Sequence, residues 1–452
     1  MTSAVVLFNR DLRVHDHPAL VEAAQAAESV IPLFVLDDQI IGSPYATPNR
    51  VSFLLDCLHD LRMRLRARGA DLVVTRGDTV QAAIRIAREH EAESIFVTAD
   101  VSRFAKAREH RLAQACAEER LAFVRRPGIT VVPFGELVPA AGSHYRVFTP
   151  YFNAWRAQPW RRPLPAPRRV SMPTNVIAGT VPGREDLVAG LPSPALCRGG
   201  ETAGRELLRK WAGRSLSHYG DRHDDLAADA TSRISPYVHF GCVSPLELAT
   251  RLRARPGGEP YVRQLCWRDF HHQVTSAFDA IATRDYRSRG DRWRRSARDL
   301  AAWKAGRTGY PIVDAGMRQL QREGWMHNRA RLIVASFLTK HLYLDWREGA
   351  QHFLDWLVDG DIANNSGNWQ WVAGTGNDTR PHRVLNPLRQ AERFDPDGAY
   401  VRRHVTELAH IDSAAVHRPW ELDASARREL DYPDPIIDHA QAVARFRAAR
   451  DR

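Results

Sequence analysis

Five short apolar runs constrain the first third of the chain more than any other feature. They lie at residues 4–8 (AVVLF), 30–36 (VIPLFVL), 71–75 (DLVVT), 94–98 (SIFVT) and 121–125 (LAFVR). Between them, over 18–27, 49–68, 79–91 and 102–120, apolar residues recur with the helical period. A strand that is apolar throughout is buried on both faces, and parallel pairing needs a helix to carry the chain back. The alternation therefore predicts an α/β domain over residues 1–135, a doubly wound parallel sheet. No GxGxxG follows the first run, so the dinucleotide fingerprint is absent. Ligands of such sheets still gather at the carboxyl ends of the strands.

Residues 136–200 read differently. Pro159, Pro163, Pro165, Pro167, Pro173, Pro182, Pro192 and Pro194 interrupt any regular element and predict a long interdomain linker. Beyond Glu201 helical periodicity dominates, at 201–213, 244–254, 259–281, 312–323, 327–341 and 346–358. Ten of the twelve tryptophans fall there, so the aromatic core belongs to this part. Residues 201–452 are expected to form one large all-helical domain, ending in a helical tail rich in Ala and Arg. A chain of 452 residues is too long for a single core, in keeping with two domains.

The formal net charge of +11 suits a polyanionic partner. Four of the 64 basic residues are lysine; a compositional bias explains that choice, but not the excess over acidic residues. The five cysteines, Cys57, Cys116, Cys197, Cys242 and Cys266, are scattered and odd in number. They predict reduced thiols in a cytoplasmic protein, with neither a disulfide framework nor a metal site. No stretch is apolar enough to span a bilayer, and no leader-like start is expected.

The stretch from Leu357 to Trp371, LVDGDIANNSGNWQW, is the least ordinary. Asp, Asn, Ser and Gly favour turns and caps over helix interiors. Apolar flanks at 353–358 and 369–372 nevertheless place it inside. Buried polar side chains must satisfy one another or a ligand. The residues alone leave two readings: a structural turn between core helices, or a ligand site.

The pattern DGDxAxNxxxWQW resembles the flavin-binding signature of the DNA photolyase and cryptochrome family. The similarity runs from FNRDLRVHDHPAL near the start to YPDPIIDH near the end. Its implied activity is light-driven repair of cyclobutane pyrimidine dimers in DNA, by electron transfer from reduced, photoexcited FAD. A cryptochrome-like photoreceptor and a 6-4 photoproduct lyase are the alternatives. The resemblance implies an FAD site made of Tyr219, the run Thr231, Ser232, Arg233, Ile234 and Ser235, and Asn328, Arg331, Asp359, Asp361 and Asn365. In it Arg331 pairs with Asp359, and Asn365 lies near flavin N5.

Trp369, Trp346 and Trp293 match the family's three electron-transfer tryptophans; for any one of them, core filling is the ordinary alternative. DNA contacts are implied for Gln264, Trp267, Arg268, Asn328, Arg329, Leu332, Trp371 and Arg383, with Trp267 stacking on a flipped dimer. The sequence departs from the pattern in three places. Gln264 stands where cyclobutane-dimer enzymes usually have Glu, and Leu332 where Met is common. The run PHRVLNP (381–387) is one residue short. Leu332 is also not the His expected of a 6-4 enzyme. The family's antenna pigments, deazaflavin or folate, imply a second site near Arg10, Asp37, Arg50 and Asp100. Ser102 and Arg103 depart from the acidic pattern there. A monomer is expected.

Overall fold

The computed structural model describes residues 2–450. The chain divides into two compact units. The first comprises residues 1–192, 197–217 and 232–280; the second comprises 193–196, 218–231 and 281–452. Helices of eight residues or more are numbered below.

The first unit is built on five parallel strands: β1 (Ser3–Phe8), β2 (Ser29–Asp37), β3 (Val73–Gly77), β4 (Ala92–Thr98) and β5 (Ala122–Arg126). Their order is β3-β2-β1-β4-β5. Every residue of β1 is buried, as its unbroken apolar run requires of a central strand. The crossover helices are α1 (Pro18–Ala26), α2 (Pro48–Arg66), α3 (Thr79–Glu89) and α4 (Arg103–Glu118). Two of them start on Pro at N1, where the missing N–H costs nothing. The chain winds one way from β1 to β3 and the other way through β4 and β5. The switch point thus lies between β1 and β4, at their carboxyl ends.

The run expected to be irregular contains a helix, α5 (Phe148–Ala157). Pro150 lies in its first turn, where proline is tolerated. The unit is completed by α6 (Glu201–Arg214), α7 (Pro245–Arg253) and α8 (Gly258–Ala277). Gly257 turns the chain into α8 at φ +74°, and a Cβ there would meet Leu216 O at 2.1 Å.

The second unit is helical: α9 (Ala297–Ala305), α10 (Pro311–Glu323), α11 (Asn328–Ser336), α12 (Trp346–Trp356), α13 (Ile362–Ala373), α14 (Pro387–Phe394) and α15 (His439–Arg450). A π-helical turn, Phe337–His341, follows α11. The core contains Trp303, Val313, Met317, Phe337 and Trp346, all fully buried. No helix among the described residues is long and apolar enough to cross a membrane.

The π turn places Lys340 inside this core. Its ammonium donates to Ala373 O (2.8 Å) and Pro381 O (2.7 Å) and lies 4.5 Å from the Phe446 ring centroid. Burial, with Arg450 nearby, pushes its pKa down to about 7. The native protein therefore releases this proton near pH 7, whereas the unfolded chain holds it to the ordinary 10.5. Stability from this group rises as pH climbs through that window, by up to about 1.4 kcal/mol per pH unit. Chemical denaturation from pH 7 to 9.5 should show this rise in the wild type and a flatter profile in Lys340→Met. Equal slopes would contradict it.

Candidate functional site

The chain turns at Val358 and Asp359, and from Ile362 to Ala373 the stretch folds as a helix, α13. Asp361 is the N-cap of α13: its Oδ1 accepts from Asn364 N (2.8 Å) and Asn364 Nδ2 (2.7 Å). Gly374 ends the helix in the left-handed region, at φ +81°. A strong cap at each end offsets the poor intrinsic propensity of Asn, Ser and Gly between them. The polar residues are there because one side of α13 lines a pocket. Asn364, Asn365, Asn368 and Trp369 share it with Asn328, Arg331 and Leu332 from α11, Phe353 from α12, and Asp359.

Arg331 Nη2 donates to both oxygens of Asp359, at 2.8 and 3.1 Å. The Asp359 side chain is 3% exposed and that of Arg331 24%, so one end of the pair is buried. The pairing of Arg331 with Asp359 is thus the one the family pattern implies. Asn365 Nδ2 donates to Ala350 O at 3.0 Å, which leaves the amide carbonyl oxygen and the second Nδ2 hydrogen for a ligand. Trp369 is 2% exposed and meets Phe353 edge-on (5.0 Å between centroids). Its Nε1 is buried without a partner, and so is Thr231 Oγ1. Each buried polar atom of this kind calls for a partner that the protein does not supply. A pocket of amides, one ion pair and an indole fits a planar heterocycle with polar edges, as in FAD.

The other expected FAD residues lie in both units. Tyr219 is buried in the second unit and its ring contacts His223. In the first unit Ser232 Oγ and the Tyr261 hydroxyl are 2.8 Å apart. Arg233 adopts φ +51°, rare for a side chain with a Cβ, and Ile234 precedes the short helix Ser235–His239.

Of the expected electron-transfer residues, Trp346 is fully buried. Its Nε1 donates to Asp285 (2.9 Å) and the Arg347 guanidinium lies 4.7 Å from its ring centroid. Trp293 packs on Tyr343 at 5.1 Å. The indole in ring contact with Trp369 is a different one, Trp303 of α9, at 6.1 Å and 74°. Trp303 Nε1 donates to Val334 O (3.0 Å), and His352 lies against its ring. Burial pushes His352 down to about 4, so it is neutral there. Sequence reasoning passed over Trp303 because AAWKA reads as an ordinary core position.

The residues expected to meet DNA differ in how committed they are. In the first unit, Gln264 is exposed on α8 and Trp267 lies one turn further on, half-buried. Arg268 is 12% exposed and donates to Ile129 O. The exposed cation on this helix is Arg263, which sequence reasoning did not single out. In the second unit, Arg329 pairs with Asp224 and covers the Phe394 ring (4.3 Å). Asn328 is exposed and Leu332 half-buried. Arg383 is 43% exposed, lies 4.9 Å from the Trp371 ring centroid and reaches Asp378 at 3.4 Å.

The expected antenna residues flank the switch point of the sheet. Arg10, just after β1, pairs with Asp100, just after β4, at 2.8 Å. Asp37, at the end of β2, accepts from Thr79 Oγ1 (2.5 Å). Arg50 donates to Tyr45 O and stacks on the Tyr45 ring. Ser102 caps α4 and Arg103 is its first residue.

Comparisons with known proteins find relatives along the whole chain. Residues 4–168 match the family model for DNA photolyase, and residues 261–452 match that for the FAD binding domain of DNA photolyase. A deoxyribodipyrimidine photo-lyase of Streptomyces griseus is 53% identical, over 100% of this chain and 99% of its own. The structure resembles that of a bacterial class III photolyase from Agrobacterium tumefaciens, with a TM-score of 0.93 and 32% identity over 100% of this chain and 97% of that one. It also resembles an archaeal photolyase from Sulfolobus tokodaii solved with two FAD molecules, with a TM-score of 0.89 and 31% identity over the full length of both chains.

Proposed function

This chain belongs to the DNA photolyase family, and we propose that it repairs cyclobutane pyrimidine dimers in DNA with light. The observation that carries the proposal is the full-length 53% identity to a deoxyribodipyrimidine photo-lyase. The pocket lined by Asn365, Trp369 and the Arg331–Asp359 pair supports it. FAD held there would, once reduced and excited by blue or near-UV light, supply the one-electron chemistry that cyclobutane ring opening needs.

The chain's own residues bind, orient and supply electrons. Asn365 would present its neutral amide to the flavin edge, and Arg331 and Asp359 form a fixed pair of charges in the same pocket. Asp361 holds the start of α13, and so the bearing of Asn365 and Trp369. Thr231 has a hydroxyl available for diphosphate, followed in sequence by Ser232, Arg233, Ile234 and Ser235. Tyr219 and Asn328 complete the cofactor set. Trp369, Trp346 and Trp293 pass electrons inward from solvent, a restoring step separate from repair. On the first unit Trp267 stacks on the flipped lesion and Gln264 hydrogen-bonds its polar edge. On the second, Trp371 and Arg383 meet the strand, with Asn328 and Leu332 on the same unit. Phosphate contacts give affinity without sequence preference, as a lesion enzyme needs. The Arg10–Asp100 crevice, with Asp37 and Arg50, is the place for an antenna pigment. We propose the cell interior as the working compartment and a monomer as the working form.

An action spectrum tests this reading. Repair of dimer-containing duplex should follow the absorbance of the reduced flavoprotein and vanish in the dark; equal repair in the dark contradicts it. Gln264→Glu restores the usual acid of cyclobutane-type pockets on an exposed turn of α8. Dimer repair by this variant should hold steady or rise when initial rates are compared, and a collapse would mean that a carboxylate cannot replace the Gln264 amide at this position.

A further inference from the structure

We infer that Phe148 is a positioning residue for lesion recognition, fixing the plane of Trp267 before DNA arrives. The inference rests on Trp267 being the lesion-stacking residue. The two rings lie parallel, 3° apart in plane, with centroids 3.6 Å apart. Aromatic pairs left to themselves prefer offset or edge-to-face arrangements. The surroundings therefore impose this one. Phe270, one turn along α8 from Trp267, sets its edge against both rings, at 5.7 Å from Trp267 and 5.8 Å from Phe148, each at 89°. The Arg263 guanidinium lies 5.5 Å from the Phe148 centroid.

Phe148 is 6% exposed and is the first residue of α5, whereas Trp267 is half-buried. Phe148 thus covers one face of the half-buried indole, and His271, one turn along α8, packs against it at 5.9 Å and 30°; the lesion base is taken to meet the face opposite Phe148. A base stacking there meets a ring whose orientation is already fixed. Without the backing ring, Trp267 would have to be ordered at the moment of binding. Such ordering lowers affinity by roughly 3–10-fold for one immobilised side chain. Binding to undamaged DNA, which flips no base onto the indole, has no share in this term.

The test is a double-mutant cycle on the FAD-loaded, full-length protein, read as binding to dimer-containing and undamaged duplexes in the dark. Phe148→Leu keeps an apolar side chain and removes the flat face. It should weaken dimer binding roughly 3–10-fold and leave undamaged DNA within about twofold. Phe148→Tyr should restore wild-type binding. Phe148→Leu combined with Trp267→Ala should be no weaker than Trp267→Ala alone, since residues acting as a unit are not additive. Where Phe148→Leu fails to retain FAD, Phe148→Met, also ring-free, carries the same expectation. Wild-type dimer binding by the ring-free variants overturns the inference. So does equal weakening on both DNAs, or additivity with Trp267→Ala. If Trp267→Ala itself keeps its preference for dimers, the lesion-stacking role of Trp267 fails and the inference falls with it.

Discussion

Trp369→Phe should retain FAD and yet photoreduce it far more slowly than the wild type under blue light with an external reductant. Trp369 lies on α13, four residues after Asn365, so both face the same pocket. Phenylalanine fills most of the volume between Phe353 and Trp303 and is much harder to oxidise. The loss of part of a buried ring should cost less than about 3 kcal/mol of stability, so the protein should still fold. Chemically pre-reduced Trp369→Phe should repair dimers as the wild type does, because the indole restores the cofactor and has no part in opening the lesion. Trp303→Phe is the companion measurement. Trp303 is in ring contact with Trp369 but is fully buried. A slower photoreduction in that variant would place it on the route, and an unchanged rate would leave it as packing. Unchanged photoreduction in Trp369→Phe would return Trp369 to core filling.

Gly349→Ala should harm the same step without touching any polar group. A Cβ at Gly349 of α12 would stand 2.2 Å from Trp369 Cη2, 2.5 Å from its Cζ3 and 2.6 Å from Leu338 Cδ2. Neither neighbour is free to swing away, since Trp369 is also held by Phe353 and Trp303. Overpacking of this kind costs roughly 1–3 kcal/mol and is relieved by moving the larger ring. The expected result is a lower unfolding midpoint and slower photoreduction, the second traceable to a displaced Trp369. A variant with wild-type stability and photoreduction would mean that the contact relaxes at no cost.

Much of this was legible in the sequence, because burial writes itself as periodicity. The five strands and the long helices of both parts appear within a few residues of where apolar spacing puts them. The stretch after Asp359 reads as a turn for a physical reason. A helix whose side lines a polar pocket carries loop-like residues there, and its stability comes from Asp361 and Gly374 at its ends. Helix α5 is hidden among prolines because Pro150 sits in the first turn, where it does no damage. Phe148 and Trp303 are invisible for another reason. Each matters through the ring it touches, and no spacing along the chain reports a contact between residues 148 and 267, or between 303 and 369. Arg268 and Arg329 show the same limit. Their charge is plain from the residue type, but only the fold assigns that charge to Ile129 O and Asp224.

As a light-driven lyase for cyclobutane dimers, this chain should act on one lesion and spare the other. The most direct measurement irradiates the FAD-loaded, pre-reduced protein with two defined oligonucleotides, one bearing a cyclobutane thymine dimer and one a 6-4 photoproduct. Each product is analysed by chromatography against a dark control. Intact thymines are expected from the first substrate in the light, none in the dark, and no change in the second. Dimers left untouched by irradiated protein with bound, reduced FAD would contradict the lyase role.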